Sequence, residues 1–167
     1  MVPSPWASRL NKFVMKKKVI PDSLYKKIVG LVPICCVDLV IKKGNSFLLV
    51  KRLENPAKGK WWFAGGRVLF NETLLTAAKR KLSQEVGIDD KKVLDIQPLG
   101  VKEIRFKTGR YGQPVYSIIH VFLVELPAKG SFDVRMDKTM SDYRWFEKAL
   151  GSFDTHIKEF LRKAGCK

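Results

Sequence analysis

The sequence predicts an α/β fold, a sandwich with a mixed β-sheet between helices. Three observations carry that prediction. Two strand-sized apolar runs, Ile34 to Ile41 and Ile118 to Val124, are each broken by one polar residue, Asp38 and His120. Asn71 to Val86 repeats apolar residues at helical spacing. Helical patterns fall before, within and after the strands, which favours helices packed on both faces of one sheet.

The elements follow in order. Asp22, suited to cap a helix, opens a short amphipathic helix through about Val29, with Leu24, Ile28 and Leu31 at helical spacing and Pro33 as its stop. Residues 34–42 read as a buried strand. Gly44-Asn45 turns the chain into a second strand, Ser46 to Arg52. Asn55-Pro56 and Lys58-Gly59 mark a loop, and Trp61 to Phe63 is a short aromatic strand leading into Gly65-Gly66. The clearest helix is Asn71 to Val86, with Asn71 as its cap, Leu74, Leu75, Ala78 and Leu82 as its apolar stripe, and Gly87 as its stop. Strands at about 95–106 and 115–126 form a hairpin across the Gly-containing connection Lys107 to Pro114. Gly130 to Met140 is a loop or irregular strand, Tyr143 to Phe146 a short strand, and Phe153 to Lys163 a last helix with Ile157, Phe160 and Leu161 on one face.

Composition bounds the function. The chain's 167 residues, 46% apolar and 29% charged, suit one domain with a real core. No apolar run reaches bilayer-spanning length, so no membrane partner is expected. No apolar stretch follows the basic start, so no secretory signal is expected. Residues 1–20 read as an accessory segment and 21–167 as the domain; Met15, followed by Lys16-Lys17-Lys18, is a candidate translation start. Cys35, Cys36 and Cys166 are odd in number and lack metal-type spacing. They read as inert thiols of a reducing compartment, and the expected location is cytoplasmic. The formal net charge of +16 draws anions, whether a nucleotide, a nucleic acid or an acidic partner, without naming one.

Chemistry concentrates in residues 66–88. A Gly-Gly loop exposes backbone groups where a phosphate or metal could approach. On the helix that follows, positions 81, 84 and 85 share a face. Carboxylates there could hold Mg²⁺, but only Glu85 is one, so periodicity alone does not establish a metal site. This segment resembles the Nudix box: Gly, five residues, Glu, seven residues, Arg-Glu-apolar-any-Glu-Glu-any-Gly-apolar. Gly66, Glu72, Arg80, Leu82, Glu85, Gly87 and Ile88 match in register. The resemblance implies a Nudix-type α/β/α sandwich and a hydrolase of a phosphate-bearing nucleotide derivative.

Two acidic box positions are replaced, by Lys81 and Gln84. Lys81 reads as part of a solvated helix face. GDP-mannose mannosyl hydrolases also lack acidic residues at those positions. The resemblance to them extends to Val37-Asp38, Leu49-Val-Lys-Arg52, Asn55-Pro-Ala-Lys-Gly59, Trp62-Phe-Ala-Gly-Gly-Arg67-Val68 and Asp142-Tyr-Arg-Trp145. That resemblance implies release of the sugar by substitution at its anomeric carbon, leaving GDP. It implies a Mg²⁺ site (Mn²⁺ as an alternative) built on Glu85 and the Gly66 carbonyl, with Gln84 as a further ligand through its amide oxygen. Arg52 and Arg67 match positions on the diphosphate, in substrate binding and catalysis. Arg80 has a catalytic role or an orienting one toward Glu72 or Glu85. Asp38 faces the sugar or base, or makes a buried structural hydrogen bond. His120 matches a histidine near the phosphates, and Tyr116 is a further substrate-binding candidate. Thr139 and Met140 stand where that subfamily supplies a Gln ligand and a His base, and methionine takes no proton. A shifted loop would make Asp137 or Asp142 the base.

The leading expectation is a Mg²⁺-dependent hydrolase of a nucleoside-diphosphate sugar resembling GDP-mannose. A conventional pyrophosphohydrolase is the second. The third is a low-turnover nucleotide- or RNA-binding module, with Trp61, Trp62 and Tyr111 as stacking or core aromatics. The expected partner is a small nucleotide derivative. Nucleic acid is not favoured, and a homodimer is suggested by the resemblance alone.

Overall fold

The computed structural model describes residues 20–166. Residues 1–19 of the accessory segment, with the Met15 start, lie outside those residues. Helix α1 (Asp22–Val29) precedes strands β1 (Ile34–Lys43), β2 (Ser46–Arg52), β3 (Trp61–Trp62) and β4 (Ala64–Arg67). Helix α2 (Leu74–Val86), the hairpin β5 (Asp95–Phe106) and β6 (Val115–Leu126), β7 (Met140–Phe146) and α3 (Thr155–Lys163) follow.

The sheet runs β3-β2-β1-β6-β5, with β4 on β1 and β7 on β2. Strands β1 and β6 are parallel from Ile34↔Ser117 to Lys43↔Leu126, and the other pairs are antiparallel, so the sheet is mixed as expected. Side-chain alternation divides the core in two. Val37, Leu39 and Ile41 of β1 face α2 through Ala77, Ala78, Leu82 and Val86. Val40, Phe47, Ile119 and Val121 face α3 through Ile157, Phe160 and Leu161. A central strand covered on both faces has no wet side, which is why β1 reads as a nearly continuous apolar run. No helix among the described residues is long and apolar enough to cross a membrane.

Several boundaries differ from expectation, each for a local reason. Asp22 is the first residue of α1, behind Pro21, and makes no cap bond. Its carboxylate accepts instead from the Tyr111 hydroxyl at 2.6 Å. Leu31 lies beyond α1 and is exposed. Helix α2 starts at Leu74, because Thr73 is the cap: its Oγ1 accepts from the Thr76 amide at 3.1 Å. Asn71 instead takes a φ of 65° in the preceding turn. Leu75 is exposed, and Ala77 fills its expected place in the stripe. Gly87 stops α2 in the left-handed conformation, as expected. Strand β7 begins at Met140, paired with Arg52 across a bulge. Asp154 caps α3, so that helix begins after Phe153.

Candidate functional site

Strand β4 runs antiparallel to the first half of β1, placing Gly65 beside Asp38, Gly66 beside Val37 and Arg67 beside Cys36. The approach is too close for side chains. A Cβ on Gly65 would lie 2.2 Å from the Val37 carbonyl oxygen. Gly66 has a φ of 145°, which side-chain-bearing residues rarely adopt. These two glycines therefore fit the geometry that the sequence motif demands.

Behind β4, α2 presents its box residues. Arg80 donates through Nε and Nη2 to the two oxygens of Glu72, at 2.5 and 2.8 Å. The same guanidinium reaches the Gln84 amide oxygen at 3.0 Å and the Arg67 carbonyl at 3.1 Å. Glu72 also accepts from the Leu69 amide at 2.9 Å. Arg80 thus ties the loop, β4 and α2 together, which is the orienting geometry of its two expected roles. One turn on, the Lys81 ammonium lies 2.6 Å from Glu85 Oε1, with side chains only 15% and 7% exposed. Lys81 is therefore no solvated face residue: it pairs with a buried carboxylate and lies against Gly66. Burial raises the Glu85 pKa, Lys81 opposes that, and Asp137 and Arg52 also act on it from nearby.

The opposite face of the sheet carries a cavity. Its walls include Asp38 of β1, Ser117 and Ile119 of β6, and Arg52, Gly66 and Arg67. Tyr25, Trp62, Phe106, Arg110 and Tyr111 complete an aromatic and basic rim. The Arg67 guanidinium stacks 4.1 Å from the Tyr25 ring centroid. Its Nη1 is buried, with no hydrogen-bond partner among the described residues. An unmet buried donor on a charged group is costly, so an acceptor supplied from the cavity would be rewarded. Arg52 is oriented by its Nε bond to the Pro56 carbonyl at 2.6 Å.

The other expected site residues divide. Asp38 lines the cavity, yet its Oδ2 lies 3.0 Å from Nε2 of the buried His156. It thus has the buried contact and the cavity position at once. His120 and Tyr116 share the parity of Phe122 and face away from Ser117 and Ile119, so neither lines this cavity. Tyr116 donates to Glu103 at 2.7 Å and stacks under Arg105. Met140 is buried in the α2-side core. Of the two alternative bases, Asp137 acts on Glu85, while its Oδ1 accepts from the Thr139 amide at 2.6 Å. Asp142 accepts from the Tyr143 amide and is exposed.

The donors expected for a divalent metal do not fit one as they stand. The Gln84 oxygen is taken by Arg80, one Glu85 oxygen is taken by an ammonium, and the Gly66 backbone has that ammonium beside it. No group of three or more His, Cys, Asp or Glu among the described residues could hold a metal. A divalent ion here would first have to displace a positive charge.

Sequence reasoning missed Tyr25, Arg110 and His156. Tyr25 and Arg110 become neighbours only when α1 meets the β5–β6 connection, through the Tyr25–Tyr111 edge contact at 6.2 Å. His156 had a signal: it lies four residues before Phe160, on the same apolar face, and stacks on Trp62.

Comparison with known proteins bears on this geometry. The family model for the NUDIX domain matches residues 32–163. The low-salt glycan biosynthesis protein Agl8 of Haloferax volcanii is 44% identical over 70 residues, 42% of this chain and 45% of that protein. The ADP-ribose pyrophosphatase of Methanocaldococcus jannaschii is 36% identical over 83 residues, 50% of this chain and 47% of that protein. The chain thus matches less than half the length of each of these curated relatives. Among solved structures, the MutT NUDIX hydrolase from Burkholderia pseudomallei superposes with a TM-score of 0.64 at 20% identity, over 79% of this chain and 98% of that one. That likeness speaks for the fold.

Proposed function

The chain belongs to the NUDIX domain family, and from that premise we propose that it hydrolyses a nucleoside-diphosphate sugar of the GDP-mannose kind, releasing the sugar and GDP. The observation that carries this reading is Arg67, which lines an aromatic-rimmed cavity and keeps a buried Nη1 without a partner among the described residues. A diphosphate supplies the acceptor it lacks, and Arg52 in the same wall supplies a second guanidinium. Tyr25, Trp62 and Tyr111 offer ring faces and edges to a base or a sugar.

The relatives support the class of substrate. ADP-ribose, named for the Methanocaldococcus relative, is a nucleoside diphosphate joined to a sugar, and the Haloferax relative is named for glycan biosynthesis. Substitution at the anomeric carbon is the step the motif resemblance implies, and the charge distribution serves it. Departure of GDP needs positive charge beside the diphosphate, which Arg52 and Arg67 bring. Water attacks the sugar carbon from the side opposite the leaving diphosphate. Its proton passes to a carboxylate, for which Asp137, whose charge acts on Glu85, is the candidate. Roles for His120 and Tyr116 are not carried forward, since both face away from the cavity.

A second reading, a nucleotide-binding module with little turnover, is favoured by two observations. Glu85 is tied to Lys81, and the buried Met140 stands where the related hydrolases have their base. A panel of nucleotide sugars with products identified by mass spectrometry separates the readings. GDP plus free sugar supports the proposal. Sugar phosphate plus GMP marks attack at phosphorus, and tight binding with no products marks the binding module. Arg67→Met is expected to weaken binding of the accepted nucleotide sugar by roughly ten- to hundredfold while leaving the fold intact; unchanged affinity would remove Arg67 from the site.

A further inference from the structure

We propose that the Lys81 ammonium is the cation this cleft presents to a bound diphosphate, standing where a divalent metal would otherwise be held. The inference rests on the nucleoside-diphosphate reading above. Three features of the chain carry it. The ammonium is fixed, 2.6 Å from Glu85 Oε1 at the base of α2. It borders Gly66 from the α2 side: its Cε and Nζ would each be 2.8 Å from a Cβ on Gly66, whose backbone also lines the cavity that Arg52 and Arg67 line. It also has donors to spare. An ammonium carries three N–H groups, and Glu85 is its one recorded hydrogen-bond partner among the described residues.

The substitution also reverses the sign of the site. A carboxylate at position 81 would join Glu85 on one helix face and repel it until a cation arrived. Lysine at that position brings the cation covalently, and Glu85 holds it in place. Such a site needs no metal to attract phosphate oxygens. Glu85 thereby becomes a positioning residue for Lys81 rather than a ligand. The chemistry selected is that of a diphosphate ester whose negative charge is met by two guanidiniums and one ammonium.

The test is calorimetric titration of the full chain with GDP, once with excess chelator and once with Mg²⁺. The wild type is expected to bind GDP in chelator within about threefold of its affinity in Mg²⁺. Lys81→Met combined with Glu85→Gln removes both charges of the pair at similar volume, so no buried charge is left alone. That variant is expected to bind GDP about tenfold more weakly in chelator. Lys81→Glu is expected to make GDP binding depend on Mg²⁺. Wild-type binding that requires Mg²⁺, or a double variant that binds as well as wild type in chelator, overturns the proposal alone. Failure of GDP to bind under either condition overturns the nucleoside-diphosphate reading and this inference with it.

Discussion

Arg80 and Arg67 carry the same charge toward different ends. Arg80 spends its guanidinium on Glu72, Gln84 and the Arg67 carbonyl, all within the protein. Arg67 stacks on Tyr25 and leaves Nη1 unmet at the cavity wall. The sequence motif marks both as arginines of interest and cannot tell these uses apart, since the difference lies in which acceptors surround each fork. Lysine cannot reproduce a planar fork bonded on three sides. Arg80→Lys is therefore expected to lower unfolding stability by about 1–3 kcal/mol in urea titrations. Turnover lost with unchanged stability would instead indicate that Arg80 touches substrate. Lys81 shows the same limit of sequence reading. A lysine on a helix is ordinarily solvated, and only the closeness of β4 to α2 confines this one.

At the scale of elements, the hairpin β5–β6 and helix α2 were legible because their signals are local. Their strand bounds, 95–106 and 115–126, and the Gly87 stop follow from alternation and from a glycine at positive φ. The caps differ at Asn71, where Asn71, Glu72 and Thr73 crowd the helix start and turn geometry selects Thr73, and at Asp22, which lies inside α1 behind Pro21. Helix α3 illustrates tertiary anchoring that periodicity does not reveal. Its Glu159 accepts from Lys102 of β5 and from Lys163, at 2.7 and 3.0 Å. These two ammonium partners depress the Glu159 carboxyl from the usual 4.5 to about 2. A depressed carboxylate stabilises the fold above its unfolded pKa, and that contribution fades as pH falls through the folded value. Solvent at the pair limits it to about 1 kcal/mol or less. Glu159→Gln should thus be slightly less stable than wild type at neutral pH. The gap should close as pH drops from about 4.5 toward about 2. A gap that stays constant over that range would mean the ion pairs contribute nothing.

For the whole molecule, the mixed sheet between helices follows from apolar runs covered on both faces, and the net charge of +16 suits an anionic ligand. The cavity itself was not legible. Its walls come from α1, β1 to β4, β6 and the β5–β6 connection, segments far apart in sequence that the pairing of β1 with β4 and β6 brings together. In the proposed reaction this cleft steadies a departing nucleoside diphosphate while water attacks the sugar carbon. Turnover of GDP-mannose in heavy-oxygen water, followed by mass spectrometry, tests it most directly. Heavy oxygen is expected in the released sugar and none in GDP. Heavy oxygen in a phosphate-bearing product would contradict it.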